Sequence, residues 1–147
     1  MANKASNEVL SQLAFAQFHG LNFRIILVDE YFSFDVAEHR WYEDVSADEV
    51  AEGNNYLTGG LDLENMTITE EATYVDASWD NVVFTALGGD IGPTSGALII
   101  CKAEDEYDEY DAEWIVGFIE FPTVYTIPED GGLQITTPTV RLLGQVT

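Results

Sequence analysis

Basic residues are almost missing from this sequence: Lys4, Arg24, Arg40, Lys102 and Arg141 stand against 27 Asp and Glu, a formal net charge of -22. A phosphate backbone or an anionic bilayer meets repulsion over nearly all of such a surface, which excludes nucleic acid and membrane as expected partners. Cysteine is scarcer still. Cys101 alone allows no intrachain disulfide, and its place in the run Ala97-Leu98-Ile99-Ile100-Cys101 reads as a small buried hydrophobe, not a nucleophile. The two histidines, His19 and His39, add no Cys/His spacing suited to zinc. No stretch approaches the roughly 18 apolar residues of a membrane span, and residues 1–18 hold one lysine and only short apolar patches. The expectation is a chain made and first dissolved in the cytoplasm.

Catalytic signatures are lacking as well. There is no Gly-x-Ser-x-Gly elbow, and Gly92-Pro93-Thr94-Ser95-Gly96 lacks the strand-to-helix context that an elbow needs. The glycines from Gly88 to Gly92 lead into a strand-like run and not a helix N-terminus, so they do not form a phosphate or dinucleotide loop. Paired carboxylates carry little information in so acidic a chain. Neither an enzyme nor a cofactor or metal site is expected.

What is present is enough apolar material to fold. Hydrophobic residues make up 46% and aromatics 12% of 147 residues, too much for a disordered acidic tail, so the charge sits on a folded body. Ser6-Asn7-Glu8 followed by Val9, Leu10, Leu13 and Phe18 reads as a short capped helix ending at Gly20, or as an arm that orders on a partner. Phe23-Arg24-Ile25-Ile26-Leu27-Val28 reads as a buried strand. Between Phe34 and Ala51 the spacing of Val36, His39, Tyr42 and Val45 predicts one or two helical turns carrying Asp44 and Glu49 outward. Strand-like runs then recur between turn signals over 61–69, 72–77, 82–86, 97–102, 114–121, 132–136 and 140–146, with Gly88 to Gly96 as a loop and Pro122, Pro128 and Pro138 at strand ends or edges. The fold class is therefore mainly β: a β-sandwich or small barrel of about seven or eight strands with short N-terminal helical segments. Residues 1–147 form one domain, with 1–20 a helix or attachment arm and 21–147 the β-rich body.

The acidic run Glu104-Asp105-Glu106-Tyr107-Asp108-Glu109-Tyr110-Asp111-Ala112-Glu113 lies between two strand candidates. A helix-loop-helix calcium site needs a glycine at its sharp turn, and the run has none. A solvated hairpin tip that keeps strand edges apart outweighs a cation site or a charged docking loop. Trp41, Tyr42, Trp79 and Trp114 are all open to a role as interface anchors; for Trp79 and Trp114, beside strand-like runs, core packing is favoured, whereas for Trp41, in a less regular stretch, the two roles stand level. The candidates for a protein interface are Phe15, Phe18, Trp41, Tyr42, Tyr107 and Tyr110.

The order Asn3-Lys4, Ile26-Leu27-Val28-Asp29, His39, Tyr42, Asp44-Val45, Leu57, Gly59-Gly60, Ala97 to Lys102, Val116-Gly117-Phe118-Ile119, Glu129-Asp130-Gly131-Gly132 and Ile135-Thr136 resembles small virion proteins of tailed bacteriophages and prophages. The likeness spans most of the chain from about Phe23 onward. It implies a capsid decoration, or cement, protein: a subunit, often a trimer, that binds the major capsid protein on the outside of the expanded head. No catalytic residue belongs to that role. The acidic run after Lys102 and the segment up to Gly20 depart from the pattern. The alternatives are a tail, fibre-attachment or baseplate subunit and, in another class, a small cytosolic enzyme or host-takeover factor.

Overall fold

The structure, a computed structural model, describes residues 21–102 and 113–143. Among these the protein is mainly β. The strands are β1 (Asn22–Asp29), β2 (Leu61–Leu63), β3 (Thr67–Glu70), β4 (Tyr74–Ser78), β5 (Val82–Thr85), β6 (Ile91–Lys102), β7 (Glu113–Ile127), β8 (Gly132–Ile135) and β9 (Thr139–Leu143). They form three antiparallel sheets with orders β2-β1-β6-β7, β3-β4-β9 and β5-β8, and none closes into a barrel. Among the described residues one α-helix, α1 (Tyr42–Val45), runs into a 3-10 turn at Ser46–Asp48.

The unbroken apolar run of residues 25–28 in β1 has a simple cause: there the strand is buried on both faces. Side chains alternate across a strand, so Phe23, Ile25 and Leu27 point one way with Ala97, Ile99 and Cys101 of β6. That face meets Ala77, Val82, Phe84 and Ile135 from the two smaller sheets, and Trp79 closes on Phe23 with ring centroids 4.9 Å apart. The opposite face carries Ile26 and Val28 with Leu98 and Ile100. It is covered by the segment between β1 and β2, which lays Phe32, Phe34, Tyr42 and Val45 across it. The result is a sandwich with a strap over one outer face.

The strap is a series of local turns. Asp35 Oδ1 accepts the Ala37 and Glu38 N–H groups at 2.8 and 3.3 Å. Asp44 Oδ2 accepts the Arg40 and Trp41 N–H groups at 3.1 and 2.9 Å, the reach-back bond that starts α1. Glu49 then pairs with Val28 across a short bridge, and the Val50 N–H donates to the Leu27 carbonyl at 2.9 Å.

Four expectations change. The 61–69 stretch is two strands, β2 and β3, broken at Asn65, whose φ of 57° leaves the β region. Ile91 to Gly96, expected as loop, belongs to β6. There the Gly92–Pro93 peptide is cis, the Thr94 hydroxyl donates to the Val28 carbonyl at 2.6 Å, and the Ser95 hydroxyl donates to the Asp29 carbonyl at 2.6 Å. Side-chain hydroxyls thus hold a strand together across bulges where glycine and proline interrupt the regular ladder. Glu49 does not point outward, and Trp114 is not core; both are taken up below. Trp79, 3% exposed, and Cys101 are buried as expected. Pro122 lies within β7, which is the edge strand of its sheet among the described residues, and Pro128 and Pro138 flank strands. The N-terminal helix or arm and the C-terminal end of the last expected strand lie outside the described residues.

Candidate functional site

Strand β7 leaves its hairpin partner at Lys102↔Glu113, and the next pair, Cys101↔Trp114, divides the two side chains sharply. Cys101 is buried, whereas Trp114 is 39% exposed. On its outer side β7 receives the strap: Trp41 bridges to Trp114, and the Ile115 N–H donates to the Arg40 carbonyl at 2.9 Å. That backbone bridge sets the indoles edge to face, with centroids 6.4 Å apart and planes at 66°. Trp41 is 40% exposed, so both rings keep a large apolar surface in solvent.

On the strap-covered face, Arg24 of β1 forms an ion pair with Glu113, the neighbour of Trp114 along β7, and lies over the Tyr42 ring, 4.6 Å from its centroid. Arg24 Nε is buried without a hydrogen-bond partner, so the guanidinium is held through Nη2 and its flat face. Tyr42 is half-buried and its hydroxyl donates to Glu49, leaving only part of the ring for any partner.

Glu49 is the node under the strap. One oxygen accepts from Tyr42; the other accepts from the Tyr56 hydroxyl at 2.6 Å and from the Gly59 N–H at 2.9 Å. Tyr56, fully buried, in turn accepts the Leu27 N–H at 3.0 Å, completing the β1 backbone beyond the end of its β2 pairing. Replacing Tyr56 by Phe strands the Leu27 donor and removes one donor from Glu49. Two lost bonds at a buried position predict a loss of about 2–4 kcal/mol, read as a lower urea midpoint with unchanged slope. An unchanged midpoint would mean that water fills both roles.

Burial, and then the bond to Glu49, push the Tyr42 phenol up to about 12, and Tyr56 is raised by the same two causes. Burial alone pushes the Cys101 thiol up to about 11 from 9.0. In the unfolded chain these groups release protons near pH 9 for the thiol and pH 10 for the phenols, while the native state holds them. Their contribution to stability is therefore complete below pH 9 and is lost as pH rises from 9 towards 12. Each proton retained by a buried group costs about 1.4 kcal/mol per pH unit in that window, and half-buried Tyr42 contributes less because water screens it. Urea midpoints measured from pH 8 to 11 should be flat up to pH 9 and fall beyond it; a flat profile throughout contradicts the burial of these groups.

Of the interface candidates, the structure sets Trp41 against Trp114 and seats Tyr42 on the strap-side core over Arg24; Phe15, Phe18, Tyr107 and Tyr110 lie outside the described residues. Sequence reasoning missed Arg24 and Glu113 and favoured the core over an interface role for Trp114. The available signal was the position of Glu113 and Trp114 at the mouth of a hairpin next to the acidic run, where a strand has no second layer over it.

A raised thiol pKa is the reverse of what a nucleophilic cysteine needs. His39 Nδ1 accepts the Asp35 N–H at 2.9 Å, and its ring stacks on Phe34. Among the described residues no group of three or more His, Cys, Asp or Glu is placed to hold a metal ion, and no helix is long and apolar enough to cross a membrane. No protein-family model matches the chain, and neither does any curated protein or solved structure.

Proposed function

We propose that this protein is a capsid decoration, or cement, protein of a tailed bacteriophage, which binds the outside of the expanded head and stabilises contacts between major capsid protein subunits. The observation that carries the reading is the Trp41–Trp114 pair: two indoles, each about 40% exposed and packed edge to face, on a backbone bridged to the sheet. Paired aromatics on a rigid base make docking anchors at low entropic cost. The sequence resemblance running from about Phe23 supplies the kind of partner.

The charge fits the role. A net charge of -22 keeps free subunits apart and away from nucleic acid until a shell offers a complementary surface. Many copies, each burying on the order of 1,000 Å² across neighbouring capsid subunits, stabilise a shell collectively even when each contact is weak. On this reading the protein is a non-enzymatic virion component without cofactor, made in the host cytoplasm and seated as a trimer at local threefold positions.

Mass spectrometry of purified particles is the test. A copy number comparable with that of the major capsid protein supports the shell. A few copies per particle would move the protein to the tail, fibre attachment or baseplate, and absence from particles would end the virion reading altogether.

A further inference from the structure

The strap-covered face of the four-stranded sheet ends differently on its two sides. At one end an aromatic ring of the strap, Tyr42, and a carboxylate of β7, Glu113, hold the guanidinium of Arg24 between them. At the other end the strap contributes Phe32 and Phe34, and β7 contributes Phe118 and, two residues on and so on the same face, Glu120. The Phe118 ring lies 5.4 Å from Phe32 and 5.6 Å from Phe34, centroid to centroid. With Ser33 and Ser95 these residues line an open groove of about 250 Å³. Among the described residues no basic side chain enters it: Arg24 is held by Glu113, Arg40 Nε donates to the Ala37 carbonyl, and Arg141 pairs with Asp76.

We infer that this groove receives an arginine side chain of a protein partner, an inference that rests on the proposed docking role for the kind of partner it names. The volume lies below the range of roughly 300–1,000 Å³ used by whole small-molecule ligands and suits one side chain. Phenyl faces attract a cation through their quadrupole, and the planar, weakly hydrated guanidinium stacks on them better than an ammonium does. Glu120 supplies a carboxylate for its N–H groups. The Ser95 hydroxyl already donates to the Asp29 carbonyl, so towards the groove it presents acceptor lone pairs. Arg24 between Tyr42 and Glu113 is the same arrangement satisfied from within the chain.

The test uses the isolated protein and three probes: blocked arginine, blocked lysine and blocked citrulline, the neutral isostere of arginine. Aromatic NMR signals of Phe32, Phe34 and Phe118 should shift saturably with blocked arginine, less with lysine and not with citrulline. Glu120→Gln should weaken arginine binding about fivefold or more, while Glu70→Gln, the same loss of charge on the other sheet, should leave it unchanged. Equal responses to arginine and citrulline, shifts spread evenly over the acidic surface, or no saturable shift at millimolar probe would each overturn the inference. Particle composition is measured separately, so a negative result here leaves the decoration reading standing, and absence from particles leaves the arginine site standing.

Discussion

Gly60→Ala should destabilise the fold by at least about 3 kcal/mol, a large share of the roughly 5–15 kcal/mol that holds a domain of this size. Two effects add. Gly60 has φ of +69°, in the left-handed region, where an L side chain costs about 1–2 kcal/mol. It also presses on β1: a Cβ built there would stand 2.8 Å from the Ile25 carbonyl carbon, 3.0 Å from Ile26 Cα, and closer still to the Ile25 oxygen. These are backbone atoms of the most buried strand, so nothing can rotate aside. The turn would lift away from β1, taking with it the neighbouring Gly59 N–H that Glu49 accepts and the first residues of β2. Gly88 is the control. Its φ of +82° carries the same conformational strain, but no atom lies within 4 Å of its Cβ position. Gly88→Ala should therefore cost only about 1–2 kcal/mol. Urea unfolding of the two variants separates strain from close approach, and equal losses would show that the contact with Ile25 is unimportant.

The burial of residues 25–28 in β1 and 97–101 in β6 was legible in the sequence because each is a continuous apolar run ended by a charged residue. What was hidden depended on contacts that no local pattern spells out. Glu49 is expected in solvent because a carboxylate on a short helical stretch normally is; it turns inward because the Tyr42 and Tyr56 hydroxyls, each seven residues away, and the Gly59 N–H, ten residues away, converge on it. Ile91 to Gly96 carries every mark of a loop, and it is a strand because the Thr94 and Ser95 hydroxyls find carbonyls of β1 sixty-six residues away. For Trp114 the strand context favours the core over an interface anchor. Its exposure follows from where β7 begins relative to the strap and from the register that pairs it with Cys101, neither of which a local window contains. Of the exposed indole pair, Trp41 was therefore visible in the sequence, and its packing on Trp114 required the fold.

Trp41→Ala and Trp114→Ala should each weaken attachment to capsids by about 2 kcal/mol or more, roughly thirtyfold, while leaving a cooperatively folded domain that is itself less stable by about 2–3 kcal/mol. Each indole keeps about 40% of its surface in solvent, so truncation forfeits the share already buried in the fold and also removes the apolar area a partner would cover. The rings touch edge to face, so their effects on binding should not add: the double variant should lose less than the two single losses combined, because each ring orients the other. Tyr125→Ala removes a comparably exposed aromatic at the far end of β7 and should leave attachment unchanged. Occupancy on particles prepared without the protein, titrated with each purified variant, gives the affinities. Should both tryptophan variants bind within twofold of the unaltered protein, the pair is a structural brace between strap and sheet, and the docking surface lies elsewhere on the molecule.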